Sequence, residues 1–145
     1  MIAAKVVNNS SFGKENFIFL QKNNSMTEAV ISRIVMPGML NDRGILFGGQ
    51  LLSWMDEAAY IAVLRFLKRP VVTYSADKIK FLRPVKSGEI VKVCCKVSKA
   101  SSIRIQVLVE VFSERLTDDQ PEKVAQASFY LCPVDENNKP VVKSL

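Results

Sequence analysis

The sequence contains no histidine. Without one, neither a Ser-His-Asp nor a Cys-His catalyst can be assembled, and no zinc site can be completed with imidazole. Cysteine is scarce as well. Cys94, Cys95 and Cys132 make an odd count, two of them are adjacent, and no C-x-x-C spacing occurs. That pattern suits reduced packing thiols in a cytosolic protein and excludes a disulfide framework or a metal knuckle. Long apolar runs are missing too. The stretch 51–67 carries Asp56, Glu57 and Arg65, and residues 1–20 are interrupted by Asn8, Asn9, Ser10, Ser11, Lys14, Glu15 and Asn16. Neither pattern makes a membrane span or a signal-peptide core. The expectation is a soluble, cytoplasmic chain with no membrane insertion.

What is present is ordinary for a globular domain: 145 residues, 48% hydrophobic and 23% charged. A chain of this size is one domain and buries enough surface to need no staple. The formal net charge is +6, which attracts polyanions, among them nucleic acid, acidic lipid and phosphorylated small molecules. The basic residues are scattered, and no zinc finger, RNP-type aromatic signature or helix-turn-helix signal accompanies them. Solvated lysines account for much of the charge. A small phosphate-rich ligand suits the remainder better than nucleic acid does.

Residues 1–25 are polar and rich in Asn and Ser, so they read as a loosely held extension before a single domain at 26–145. Alternation over 27–36 predicts a first strand, with Ala29, Ile31, Arg33 and Val35 on one face. Pro37-Gly38 stops it. A loop through Asn41 and Gly44 leads into a helix at about 47–67. Four strands follow, at 71–82, 89–98, 102–113 and 123–131, separated by Arg83-Pro84, Ser87-Gly88 and the turn at 118–121. In the third of the five strands Val91, Val93, Cys95 and Val97 share a face; in the fourth Ile103, Ile105, Val107, Val109 and Val111 do. Long strands joined by short turns imply an antiparallel sheet. One helix that is apolar on most sides needs a large cover, and the sheet is the only candidate. The predicted fold is therefore α+β, a five-stranded antiparallel sheet wrapped around one long central helix, the hot-dog arrangement. Its free edge favours pairing with a second copy.

The segment with chemistry in it is Asn41 to Ala58. Loop glycines allow close backbone approach to a ligand, and a helix start offers N–H groups without internal partners. Asp56 lies two turns inside, where an acid in an apolar helix calls for a partner or a job. Its neighbours three and four residues away (Leu52, Ser53, Ala59 and Tyr60) include no base.

The stretch Pro37–Asp56 resembles the acyl-CoA thioesterases of the hot-dog superfamily, whose pattern runs proline, Asn-x-x-Gly-x-x-Phe-Gly-Gly, then Met-Asp on the helix. Here it reads Pro37, Asn41, Gly44, Phe47, Gly48, Gly49, Met55, Asp56. Phe81-Leu82-Arg83-Pro84-Val85 with Gly88, Lys99-Ala100-Ser101-Ser102 and Val134-Asp135-Glu136-Asn137 extend the likeness over about 26–142, most closely to single-domain bacterial members of broad specificity. The resemblance implies Asp56 as catalytic acid and Asn41 as catalytic asparagine. They would come from different protomers, in a dimer that assembles further into a trimer of dimers. It also implies a backbone N–H from the Gly48-Gly49 turn, chiefly Gly49, directed at the thioester carbonyl. Coenzyme A would lie along Tyr74, Ser75 and Ala76 and touch the start of the fourth strand at Ser101, Ser102, Ile103, Arg104 and Ile105. No metal and no cofactor is implied, since coenzyme A is part of substrate and product.

The chemistry agrees with those assignments. Hydrolysis of a thioester needs an attacking water or carboxylate and preorganised donors for the developing oxyanion. Asp56 in apolar surroundings would activate the water or attack directly to give a mixed anhydride. Asn41 would orient the water or hydrogen-bond the carbonyl. Hot-dog dehydratases and hydratases rely on histidine, so its absence favours a carboxylate mechanism. Other readings stand beside this one. In these, Asp56 is a structural acid paired with a distant base, Glu57 is the active carboxylate, and Asn41 and Gly48-Gly49 are turn residues only. The chain could also be a non-catalytic acyl-CoA-binding regulator, or a basic structural protein.

Overall fold

The alternation at 27–36 becomes strand β3 (Glu28–Ile34), in which Ala29 is buried while Val30, Ser32 and Ile34 face out. A 3-10 turn at Pro37–Met39 ends it, and the 41–47 loop leads into α1 (Gly48–Leu67). The remaining strands are β4 (Val71–Phe81), β5 (Ile90–Ala100), β6 (Ile105–Glu114) and β7 (Glu122–Pro133). The computed structural model describes residues 27–141 in full, together with the backbone of two earlier strands, β1 (Ala4–Asn8) and β2 (Asn16–Leu20). These two pair antiparallel as a separate sheet. The rest of the extension expected over 1–25 lies outside the described residues.

The main sheet has the order β3-β5-β6-β7-β4, antiparallel throughout. Its inner face meets one side of α1. Met55, Ala58, Ala59, Ala62 and Val63 on the helix are fully buried, as are Val91, Val93, Ile105, Val107, Val111 and Leu131 on the sheet. Three alanines at helical spacing let the sheet approach the helix closely, and valines suit the pleated surface that packs on them. Each large apolar side chain so buried contributes about 1.5–3 kcal/mol. Trp54 belongs to this core. This is the hot-dog arrangement expected from the sequence.

Two details depart from the sequence reading. β6 starts at Ile105 and not at 102, because the Ser101 hydroxyl accepts the Ile103 and Arg104 N–H groups and holds 101–104 as a turn. Ile103, expected on the inner face, is therefore exposed. The side chain of Ser101 also donates to the Arg104 carbonyl, closing the hairpin.

The two edges are β3 and β4. From Tyr74 to Leu82 every residue of the β4 segment is exposed. The strand's pairing with β7 shifts register between Thr73 and Ser75 and again between Asp77 and Lys80, where Lys78 takes φ +52°. Bulges of this kind bend an edge strand. Tyr74, Ile79, Phe81 and Leu82 nevertheless leave that edge apolar.

Candidate active site

Asn41 organises the loop before α1. Its Oδ1 accepts the N–H groups of Arg43 (2.9 Å) and Ile45 (3.1 Å). Its own N–H donates to the Ile45 carbonyl, and its carbonyl accepts from Gly44. Gly44 takes φ +69°, a conformation that favours glycine. Two N–H donors on one side-chain atom identify that atom as the oxygen. The NH₂ group, which can only donate, is the part of the side chain that these bonds leave unused. Asn41 is a turn residue.

The same loop delivers the helix start. Phe47 occupies the N-cap without a side-chain cap, and the first helical bond is Leu51 N–H to the Phe47 carbonyl at 3.1 Å. The N–H groups of Gly48, Gly49 and Gln50 precede that bond and have no acceptor inside the helix. No acidic residue lies in the first turn to answer their positive end. The two glycines differ. A Cβ at Gly48 would stand 3.2 Å from the Phe81 ring, so packing against β4 accounts for that residue. A Cβ at Gly49 would meet nothing within 4 Å. Nothing inside one chain requires glycine there.

Asp56 is half-buried and not buried, contrary to the sequence expectation. The helix side that escapes the sheet is lined by Gly49, Ser53, Glu57 and Tyr60, all exposed, and Asp56 borders it. Its partner is neutral: Thr73, at the inward-facing start of β4, donates Oγ1–H to Asp56 Oδ1 at 2.7 Å. Among the described residues no base pairs with Asp56. Oδ2 carries no hydrogen bond from them either. Glu57 has the opposite fate, because Arg33 of β3 binds both its oxygens, at 2.9 and 3.0 Å. That pairing commits Glu57 to the surface and leaves Asp56 as the available carboxylate.

Gly49 and Asp56 are seven residues apart on one helix, about 10 Å along its axis. Reacting groups must stand roughly 3–3.5 Å apart. Within one chain, then, this carboxylate and this N–H are too far apart to meet directly on one carbonyl.

The residues read as coenzyme A contacts divide into four groups. Tyr74 and Arg104 come together around Tyr130. Arg104 lies over the Tyr130 ring at 4.3 Å, and the Tyr74 ring centre is 6.4 Å from that of Tyr130. Burial pushes the Tyr74 hydroxyl pKa up, with Arg104 opposing it. Gln106 and Asp77 hold the Tyr130 hydroxyl, at 3.2 and 3.4 Å. Ser75 and Ala76 are exposed beside them on the edge strand, while Ser101, Ser102 and Ile103 form the β5–β6 turn. Ile105 is different: its side chain is wholly buried in the core, so only its backbone can touch a ligand.

Thr73 escaped the sequence reading, which began its ligand positions one residue later. The available signal was the alternation that turns Val71 and Thr73 inward at the strand start, placing a hydroxyl where an apolar side chain is usual. Among the described residues no group of three acidic or thiol side chains is placed to hold a metal ion.

Comparison with known proteins fixes the class. The model of the thioesterase superfamily matches residues 43–118, and the chain belongs to that family. Acyl-coenzyme A thioesterase 11 of Mus musculus is 36% identical over 70% of this chain, which spans only 17% of that much longer protein. The acyl-CoA thioester hydrolase YciA of Salmonella typhimurium is 31% identical over 81% of this chain and 91% of its own length. Among solved structures, an acyl-CoA hydrolase from Staphylococcus aureus, in complex with butyryl coenzyme A and coenzyme A, superposes with TM-score 0.76. It is 28% identical and covers 82% of this chain and 73% of its own. Alanine mutants of that enzyme replace an asparagine, an aspartate and a threonine at the spacing that separates Asn41, Asp56 and Thr73 here. A hexameric hot-dog thioesterase of Campylobacter jejuni superposes with TM-score 0.73 at 32% identity, covering 82% of this chain and 92% of its own.

Proposed function

We propose that the protein is an acyl-CoA thioester hydrolase that releases free carboxylic acid and coenzyme A at a site shared between two protomers. The observation that carries this is the half-open Asp56, oriented by Thr73 and unpaired with any base among the described residues, on a helix whose uncapped start lies about 10 Å away.

A second copy supplies what one chain lacks. Thr73, beside Asp56, and Phe81, beside Gly48, stand near opposite ends of β4. Antiparallel pairing of two β4 edges about a twofold axis near Asp77 would set Thr73 of one protomer against Phe81 of the other. Asp56 of one chain then approaches Asn41, Gly48 and Gly49 of its partner. The exposed apolar side chains of β4 become interface, and the carboxylate loses solvent. Three such dimers would give the hexamer seen in the Campylobacter relative.

In this arrangement the Gly49 N–H, with Gly48 beside it, holds the thioester oxygen, and the Asn41 NH₂ donates to the same oxygen or to the water. Asp56 Oδ2 takes a proton from that water as its oxygen bonds to the carbonyl carbon. Collapse of the tetrahedral adduct breaks the C–S bond, and the leaving thiolate recovers the proton from Asp56. A preorganised donor at the oxyanion is worth about 10²–10³ in rate. Tyr74, Ser75, Ala76 and the Ser101–Ile105 segment receive coenzyme A. Arg104, which makes no ion pair among the described residues, is the cation for its phosphates. The reaction as written needs no cofactor beyond the coenzyme A of the substrate. No described helix is long and apolar enough to cross a membrane, and we place the activity in the cytoplasm.

Thiol release from a series of acyl-CoAs tests the proposal. Purified protein should release coenzyme A from at least one chain length. A protein that binds acyl-CoA and releases none is the regulatory module instead.

A further inference from the structure

The outer face of the sheet carries a pocket of about 390 Å³ over β6, β7 and a bulge of β4. Val109, Val111, Ala127 and Phe129 belong to the core. Leu108, Glu110, Gln126 and Ser128 alternate with them and so face out. At the bulge Asp77 pairs with Ser128 and Lys80 with Gln126, which leaves Lys78 and Ile79 opposite Ala127 alone. Lys78 is held there at φ +52°, in the left-handed region that a lysine rarely adopts. Its side chain lines the pocket.

Three polar groups of this pocket are unused. Ser128 is only 4% exposed, yet its hydroxyl bonds to none of the described residues. Burying a hydroxyl without a partner costs free energy, so a partner from outside the chain is called for. The Lys78 ammonium and the Gln126 amide also lack a partner among the described residues. The one acid in the lining, Glu110, is paired with Lys123 at 2.6 Å, so the pocket keeps an uncompensated positive charge. That balance disfavours a cation and suits an anion. Three donors match the three terminal oxygens of a phosphate group better than the two of a carboxylate. Leu108, about half exposed in the same pocket, gives apolar cover to a carbon skeleton.

We propose that this pocket binds a phosphate monoester, with Lys78, Ser128 and Gln126 donating to its terminal oxygens. Pairing of two β4 edges runs in the plane of the sheet, and of these three donors only Lys78 belongs to β4. The pocket therefore stays open in the dimer. Gln106 lines it and also donates to the Tyr130 hydroxyl, so it adjoins the Arg104–Tyr130 pair without containing Arg104. The phosphate is either a separate metabolite's or coenzyme A's own.

The experiment is titration calorimetry of the full chain with inorganic phosphate and with ribose 5-phosphate at constant ionic strength. Wild type, Lys78→Gln, Ser128→Ala and Arg104→Ala are compared. Wild type should bind both probes, the ester more tightly. Lys78→Gln and Ser128→Ala should each weaken binding by about tenfold, whereas Arg104→Ala should not. Without phosphate, Ser128→Ala should melt no lower than wild type, because it deletes an unpaired hydroxyl. An unchanged KM for acyl-CoA in both pocket variants assigns the phosphate to a separate molecule, and a raised KM assigns it to coenzyme A. If wild type binds neither probe, or only Arg104→Ala weakens binding, the pocket is not a phosphate site. The titrations need no turnover, so they decide the pocket whether or not the thioesterase reading holds.

Discussion

Two carboxylates in this molecule differ in how heavily their surroundings engage them. Glu89, at the head of β5, is 3% exposed and surrounded by donors. The Lys86 N–H, the Ser113 hydroxyl, Arg83 and Arg115 all reach it. Burial raises its pKa, but these partners outweigh burial and hold the carboxyl below the usual range. Among the described residues Asp56 has one neutral donor, Thr73, and a second oxygen that none of them bonds. Glu89 ties the 83–86 loop to the ends of β5 and β6, with a partner on each of its oxygens. Asp56 is held by a single hydroxyl, which orients the carboxylate without filling it.

Substitution should separate the two. Asp56→Asn is expected to lower kcat/KM by about 10²–10⁴, the range for a lost general base, with the melting temperature nearly unchanged. If a folded Asp56→Asn protein keeps full turnover, the contrast collapses. Glu89→Ala should do the reverse, costing about 3–5 kcal/mol of stability because Arg83 loses its buried partner and keeps only the exposed Glu122. Folded Glu89→Ala enzyme should retain most of its turnover under conditions where it is still native.

Acid should erase the Glu89 contribution. A folded pKa below the unfolded value of about 4.3 gives stability that is complete above that pH. It is lost as pH falls through the folded value. Denaturant titrations of wild type and Glu89→Gln should therefore converge on acidification below about pH 4.3. A gap that stays constant there would mean that Glu89 acts by packing alone.

The smallest effect belongs to Thr73, which touches the reacting atoms only through Asp56. Thr73→Val should lower kcat by about tenfold, leave KM for acyl-CoA near its wild-type value, and be rescued by Thr73→Ser. A change confined to KM would place Thr73 in substrate binding.

The fold was legible in the sequence because each element carried its own period. Alternation marked β3, β5 and β6, and the proline-glycine and Arg83-Pro84 breaks fell where strands end. The loop-to-helix motif singled out Asn41, Gly48, Gly49 and Asp56 before any geometry was known. What the sequence hid were facts of three dimensions. The Thr73–Asp56 bond joins residues from a strand and a helix, and no local pattern announces it. The Ser101 hydroxyl that delays β6 mimics a strand start when read as alternation. Apolar residues are so frequent along α1 that it reads as buried on most sides, whereas the sheet covers one side and leaves Gly49, Ser53, Glu57 and Tyr60 exposed.

The shared site can be tested by complementation. Asp56→Ala and Asn41→Ala, each inactive alone, would be mixed, unfolded together and refolded so that mixed dimers form. In a mixed dimer one site combines both substitutions, and the other combines an intact Asp56 with an intact Asn41 from the partner. The account predicts that acyl-CoA hydrolysis returns in the mixture. A mixture that forms dimers and stays as silent as its parents would show that Asp56 and Asn41 act within one chain, contradicting the account.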